Sequence, residues 1–150
     1  MTAYVVNEWL WADLSGSNRP ANQLETFDFL QAFSRSDAQM IVVIGSAFDQ
    51  KAWSLCSSHS TVLAAIGKAF VTQIRINSDR CRLLQPHEVL PLPDELLRAV
   101  KPDDHYLVQA CLAVPSAILA TTDAPLSKAV KAHGIQCVSR IDMIAAICRK

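Results

Sequence analysis

The chain has 150 residues, of which 51% are hydrophobic and 19% are charged, so it can bury a core and is not largely disordered. Its 14 basic and 14 acidic residues cancel, which argues against a large basic surface but allows a local nucleic-acid site that a bound cation assists. Five cysteines without metal-ligand or redox spacing predict reduced thiols in a cytoplasmic protein. We expect no signal peptide, because no basic segment opens the chain, and no membrane span, because Gln109 and Pro115 interrupt the longest uncharged run.

Apolar runs alternate with helical patterns along the first half of the chain. Residues 3–6 and 40–44 are short and almost wholly apolar, which predicts two buried strands. The pair Asn22 and Glu25 is typical of a capping box at a helix start. The stretch 77–92 is interpreted as irregular, because polar residues and prolines are frequent in it. Helical spacing of apolar residues predicts helices over 8–14, 22–33, 47–57 and 60–74.

The second half continues the alternation. Apolar runs at 117–120 and 135–138 predict two more strands. Helices are expected from 93, over 102–113, over 123–133 and from 142 onward. Strands that alternate with helices imply a parallel sheet covered on both faces. We therefore predict one α/β domain over residues 1–150, with three α/β/α layers around a central, mainly parallel sheet of four to five strands.

Polar side chains follow the predicted strands at the carboxyl ends, where such sheets bind ligands. Asn7 and Glu8 follow the first strand, Asp123 follows the third, and Asp103 and Asp104 begin the helix that leads into the third. Carboxylates gathered at one edge repel one another unless a cation lies between them, and Mg²⁺ or Mn²⁺ prefers carboxylate and water ligands. A metal held there can activate water and stabilise charge on a phosphate, so the pattern favours phosphodiester hydrolysis.

A structural interpretation competes with this one. Asp104 and Asp123 both stand where a helix needs an N-terminal cap, and each taken alone is more often a cap than a ligand, by roughly two to one. One carboxylate has enough oxygen lone pairs for both roles. The two interpretations stay open at the level of sequence.

The order of motifs in the second half is characteristic. Asp104 opens an apolar helix, and an apolar strand then ends in Thr-Thr-Asp at 121–123. Leu126 follows, and Gly134 leads back to a last strand. With its Thr-x-Asp signature, this segment resembles the C-terminal half of PIN domains, which are metal-dependent ribonucleases. The resemblance is strongest over 102–138, and in layout it extends over most of the chain.

The resemblance implies a PIN-like endoribonuclease that hydrolyses RNA with Mg²⁺ or Mn²⁺. In the first half, Asn7 stands where the family has its first Asp, and Asp49 is the nearest candidate for the acid after the second strand. The implied catalytic residues are Asp104, Asp123, Asn7 and Asp49. The implied metal ligands are Asp104, Asp123, Asn7, Glu8 and Asp103. The implied substrate-binding residues are Thr121, Thr122, Lys51 and Ser46. By the same resemblance, we expect RNA as the substrate, an antitoxin or other protein partner, the toxin half of a toxin–antitoxin pair, and a homodimer.

Two other hypotheses remain. Asn7, Lys51 and the neutral net charge favour a catalytically weakened PIN-like domain that binds RNA or protein without cutting. The other hypothesis is an unrelated flavodoxin-like or receiver-like domain. Phosphoryl transfer to Asp, however, needs an acidic pair directly after the first strand, and Asn7 with Glu8 fits that requirement badly. The basic residues Lys68, Arg75, Arg80 and Arg82 are candidates to flank an RNA groove, although such a scatter is more often a solvated surface.

Overall fold

A computed structural model describes residues 1–149 and confirms the predicted three-layer α/β/α architecture. The strands of this described range are Ala3–Val6 (β1), Gln39–Val43 (β2), Cys81–Leu84 (β3), Ile118–Ala120 (β4) and Gln136–Val138 (β5). They form one sheet in the order β3-β2-β1-β4-β5, and every neighbouring pair is parallel. The prediction of a mainly parallel sheet of four to five strands is therefore confirmed.

The helices flank this sheet on both sides. They are Trp9–Leu14 (α1), Pro20–Arg35 (α2), Ala47–Cys56 (α3), Thr61–Phe70 (α4), Asp94–Ala99 (α5), His105–Ala113 (α6), Ala124–Ala132 (α7) and Arg140–Cys148 (α8). A π-helical turn at Val71–Arg75 continues α4, and 3-10 turns lie at Pro86–Glu88 and Pro102–Asp104. None of the helices in residues 1–149 combines the length and the apolar character that crossing a bilayer requires.

Two sequence-based predictions of local structure were wrong. The stretch 77–92 contains β3, an edge strand in which Arg82 and Leu83 are exposed, so its sequence lacks the continuous apolar run of a buried strand. Helix α2 begins at Pro20, ahead of the capping box predicted at Asn22, and Arg19 precedes it in extended conformation without a side-chain cap. Proline at the first helical position supplies the helix start instead.

The three central strands divide the core into two halves, because successive side chains point to opposite faces of a sheet. Val6 of β1 and Val42 of β2 belong to one half, and Val5 and Ile41 belong to the other. The first half is completed by large side chains from α1–α4, the π-helical turn and α8: Trp11, Phe29, Phe33, Phe48, Phe70, Ile74 and Met143. The second half is completed from α5–α7: Leu96, Leu107, Val108, Leu126 and Val130.

This division places a topological switch point between β1 and β4. The helices that connect β1 to β3 along the chain cover one face of the sheet. The helices that connect β3 to β5 cover the other face. β1 and β4 are direct neighbours, so the winding direction changes between them. In open parallel sheets ligands bind outside the carboxyl ends of the strands at such a switch point.

Helix α1 is held firmly beside this switch point. The indole Nε1 of Trp9 donates to the carbonyl oxygen of Ala120, at the end of β4, over 3.0 Å. At the other end of α1, the fully buried Asp13 receives hydrogen bonds from Arg140 Nε at 2.6 Å and from Thr26 Oγ1 at 2.7 Å. The first, second and last of these helices are thus tied together, which fixes Glu8, at the start of α1, beside the switch point.

Candidate functional site

Asn7 ties the end of β1 to the turn that follows β4. Its Nδ2 donates to Thr121 Oγ1 over 2.9 Å, and its Oδ1 accepts the backbone N–H of Glu8 over 2.7 Å. Thr121 Oγ1 also accepts the backbone N–H of Asp123, at 3.1 Å. Both polar atoms of the Asn7 side chain are therefore engaged, and its role in the structure is to brace two strand ends. The oxygen keeps one lone pair with which it can still contact a ligand.

Thr121 does not fit the substrate-binding role that the sequence suggested. It is only 4% exposed, and its hydroxyl is used inside the turn by Asn7 and Asp123. We correct the assignment: Thr121 shapes the turn that presents Asp123. The neighbouring Thr122 is exposed at the same edge of the sheet.

Asp123 combines the two roles that were open at the level of sequence. It is the N-cap of α7, and its Oδ1 accepts the backbone N–H of Leu126 over 3.1 Å. The cap occupies one carboxylate oxygen and leaves Oδ2 for another ligand. The side chain is half-buried, and Asp123 lines a cleft.

Asp104 faces the same cleft and is no cap. It ends the 3-10 turn before α6, and its carboxylate accepts no capping hydrogen bond. Asp104 and Asp123 line a cleft of about 60 Å³ together with Val100, Lys101 and Leu126. We call it the acidic cleft. The structure thus brings together two carboxylates from distant parts of the sequence, at the carboxyl edge of the sheet.

The electrostatics of the acidic cleft are unfavourable to negative charge. Burial raises the pKa of Asp104 above its usual value, and the carboxylates of Asp123, Asp103 and Glu8 raise it further, against a smaller opposing effect of Lys101. Four carboxylates therefore act on one small region. A cation in the cleft would relieve this repulsion.

The donor set fits a hydrated divalent ion rather than a complete protein cage. Within residues 1–149, no three His, Cys, Asp or Glu side chains are grouped closely enough to enclose a metal. Mg²⁺ commonly retains several waters and is held by one or two carboxylates plus substrate phosphates, which two facing aspartates satisfy. Asp103 is exposed and Glu8 is half-buried. Both raise the pKa of Asp104, so each adds negative potential near the cleft.

Asp49 lies outside this arrangement. It is 3% exposed and forms a two-point ion pair with Arg75, with Nε–Oδ1 at 2.7 Å and Nη2–Oδ2 at 3.1 Å. Gly45 N–H also donates to Oδ2, at 3.0 Å. Burial alone would raise the pKa of Asp49, but the hydrogen bonds and charge of Arg75 and the Gly45 N–H lower it below its usual value. We therefore correct the assignment of Asp49 as a catalytic residue, and with it that of Arg75 as part of an RNA groove.

Ser46 and Lys51, on the helix that carries Asp49, have different surroundings. Ser46 is the N-cap of α3, and its Oγ accepts the backbone N–H of Asp49 over 3.3 Å. This capping role explains why a serine stands at position 46, without any contact to a substrate. Lys51 is exposed and, with Glu8, lines a larger cleft between α1 and α3. Of the two, Lys51 is the one placed to meet a ligand.

Tyr106 was missed at the level of sequence. Its hydroxyl is buried near the backbone N–H of Phe48. Burial raises the pKa of Tyr106, the nearby carboxylates of Glu8 and Asp104 add to this increase, and the backbone N–H of Phe48 opposes it. A tyrosine in an apolar helix gives no sequence signal of such a position, because only the fold brings Glu8 to it.

Comparisons of the chain with protein-family models, with curated proteins and with solved structures find no match.

The raised pKa of Asp104 leads to a stability prediction for the metal-free protein. The pKa of Asp104 is higher in the folded protein than in the unfolded chain, so protonation of Asp104 favours the folded state. This contribution to the free energy of unfolding is fully present below the unfolded-state pKa and is lost as the pH rises through the folded-state pKa. Asp104→Asn should therefore raise Tm at pH 7, by about 1–3 °C because solvent screens a partly exposed group, and should change it little near pH 3. Thermal melts at the two pH values measure this, with the exposed Asp103→Asn as the control for a weaker effect. A lower Tm for Asp104→Asn at pH 7 would contradict the electrostatic description.

Proposed function

We propose that this protein is a PIN-like, metal-dependent endoribonuclease and that the acidic cleft is its reaction centre. The observation that carries the proposal is that Asp104 and Asp123, far apart in sequence, line one cleft beyond the carboxyl end of β4. Neither carboxylate is neutralised by an ion pair within residues 1–149. The resemblance of residues 102–138 to PIN domains supports the same function.

In this proposal each residue has a defined task. Asp104 and Asp123 hold Mg²⁺ or Mn²⁺, and Glu8 and Asp103 strengthen the negative potential around it. A bound divalent cation supplies an acidified water and neutralises charge on the phosphate. Hydrolysis forms a bond from the water oxygen to phosphorus and breaks the bond to one ribose oxygen, which leaves with a proton. The cap to Leu126 and the brace through Asn7 keep Asp123 in one orientation during the reaction.

Partners follow from the resemblance. RNA is the proposed substrate, and a compact nuclease of this type needs control in the cell that makes it. We include an inhibitory protein partner, as in a toxin–antitoxin pair, and a homodimer in the proposal.

A second function has an observation of its own. With Asn7 in place of an aspartate and Asp49 paired to Arg75, two carboxylates remain to line the acidic cleft. A PIN-like domain weakened in this way would serve as an RNA- or protein-binding module. Metal binding separates the two functions, because a module that no longer cuts has no need of the cation.

The test is cleavage of an unstructured, end-labelled RNA by the purified protein. We expect cleavage with Mn²⁺ and none with excess EDTA, and calorimetric titration should detect a Mn²⁺ site of micromolar to millimolar affinity. Cleavage that persists in EDTA contradicts the metal-dependent mechanism. Absence of both Mn²⁺ binding and cleavage favours the binding module.

A further inference from the structure

Lys101 brings a positive charge to the acidic cleft. It is exposed and lines the cleft together with Asp104 and Asp123. Burial and the neighbouring carboxylates raise the pKa of Asp104, and the charge of Lys101 opposes them, so the ammonium group lies close enough to Asp104 to act on it. None of the ion pairs formed within residues 1–149 involves Lys101. Its charge is therefore available to a ligand of the cleft.

The turn that carries Lys101 fixes its backbone relative to Asp104. Lys101 has φ −62° and ψ 144°, the extended conformation that a following proline, here Pro102, favours. Its carbonyl oxygen accepts the backbone N–H of Asp104 over 2.9 Å. On either side of this bond, Nε2 of His105 donates to the carbonyl oxygen of Val100, also over 2.9 Å. Two hydrogen bonds across one short turn thus hold the ammonium-bearing residue beside the carboxylate.

The charges around the cleft explain what an ammonium group would add to the proposed reaction centre. Asp104 and Asp123 balance the charge of one divalent cation, which leaves no net attraction for a phosphodiester, an anion itself. A second metal ion would supply that attraction but needs ligands of its own. No group of three His, Cys, Asp or Glu side chains in residues 1–149 is close enough to hold a metal. Lys101 supplies one positive charge, which matches the single negative charge of a phosphodiester.

We propose that Lys101 is the substrate-binding residue of the acidic cleft and that its ammonium group contacts a non-bridging oxygen of the phosphodiester that is cut. Lys101 has this role only if the proposed nuclease function holds, on which the inference rests. A volume of about 60 Å³ has room for an ion and little else, so the phosphate lies at the opening of the cleft. Lysine binds phosphate as a point charge on a flexible stem, which suits an exposed residue at that opening.

This placement predicts effects of opposite sign on the two ligands. The ammonium group repels a divalent cation, so Lys101→Ala should tighten Mn²⁺ binding by about threefold. The same group attracts the phosphate in the bound substrate as well as during the reaction, so its loss should raise the KM for RNA by about tenfold and change kcat less. Calorimetric titration with Mn²⁺ in the absence of RNA measures the first effect. Initial cleavage rates over a range of RNA concentrations measure the second.

Two variants control this experiment. Lys101→Arg keeps the positive charge and should stay close to the wild-type protein in both assays. Lys128→Ala removes an exposed lysine of α7 that does not line the acidic cleft, so neither Mn²⁺ affinity nor KM should change. Because Lys101 and Lys128 are both exposed, thermal melts of all three variants should resemble those of the wild-type protein.

The outcomes separate this inference from the nuclease proposal. If Lys101→Ala cleaves RNA with the wild-type KM, or if Lys128→Ala has the same effect as Lys101→Ala, Lys101 is not the phosphate contact although the nuclease proposal stands. Faster cleavage by Lys101→Ala would also overturn the inference, because Lys101 would then compete with the metal. If the wild-type protein neither binds Mn²⁺ nor cleaves RNA, the proposed function fails, and the role of Lys101 fails with it.

Discussion

Asp123→Asn is expected to lower Mn²⁺-dependent RNA cleavage by about 100-fold or more while leaving the fold intact. The substitution removes the negative charge that would hold the cation. It keeps an oxygen that can accept the backbone N–H of Leu126, and Asn is as good an N-cap as Asp. Loss of activity can therefore be separated from loss of structure, which initial cleavage rates and thermal melts measure side by side.

Two further variants complete this experiment. Asp142→Asn also neutralises an aspartate in the first turn of a helix, but Asp142 lies on α8 and outside the acidic cleft, so cleavage should be unchanged. Asp123→Ala loses both charge and cap, and should cost about 1 kcal/mol of stability in addition to activity. Cleavage by Asp123→Asn at the wild-type rate would remove Asp123 from the reaction centre.

Arg75→Met is expected to lower the free energy of unfolding by about 3–5 kcal/mol. Asp49 and Arg75 are both buried, and removal of the guanidinium leaves the Asp49 carboxylate without its partner. Because the pKa of Asp49 is lowered in the folded protein, the stability from this pair is present above the unfolded pKa and is lost as the pH falls through the folded one. Urea denaturation at pH 7 measures the difference.

The double variant Asp49→Leu, Arg75→Met shows whether an unpaired charge causes the loss. A buried ion pair can often be replaced by apolar residues at little cost, so this variant should recover most of the stability, except for the bond to Gly45 N–H. Asp49→Asn, assayed well below its Tm, should still cleave RNA. If Arg75→Met were as stable as the wild-type protein, or if Asp49→Asn folded but did not cleave RNA, Asp49 would again be a catalytic candidate.

The fold could be predicted largely because its central strands have sequences that serve few other purposes. The apolar runs that became β1, β2 and β4 are buried on both faces, and a strand of a covered parallel sheet needs that composition. Once the order of strands and helices was clear, the edge of the sheet that gathers Asp104 and Asp123 followed from topology. β3 escaped prediction because an edge strand tolerates exposed residues such as Arg82.

The candidate site was less predictable, because the use of a side chain depends on partners distant in sequence. Asp49 and Arg75 are 26 residues apart, and Asn7 and Thr121 are 114 apart, so no local pattern indicates either contact. For the same reason, the sequence did not decide whether Asp104 and Asp123 act as helix caps or as ligands. Asp123 accepts a capping bond and Asp104 does not, although both stand at the start of a helix.

The short outer strands have a consequence for how the protein behaves in concentrated solution. β3 has four residues and β5 has three, so each side of the sheet offers few open peptide groups on which another chain could assemble. The segments most prone to cross-β association are the apolar β1 and β2, which neighbouring strands enclose on both sides. Aggregation should therefore follow the fraction of opened molecules, and variants that weaken the core should precipitate long before variants of the surface do.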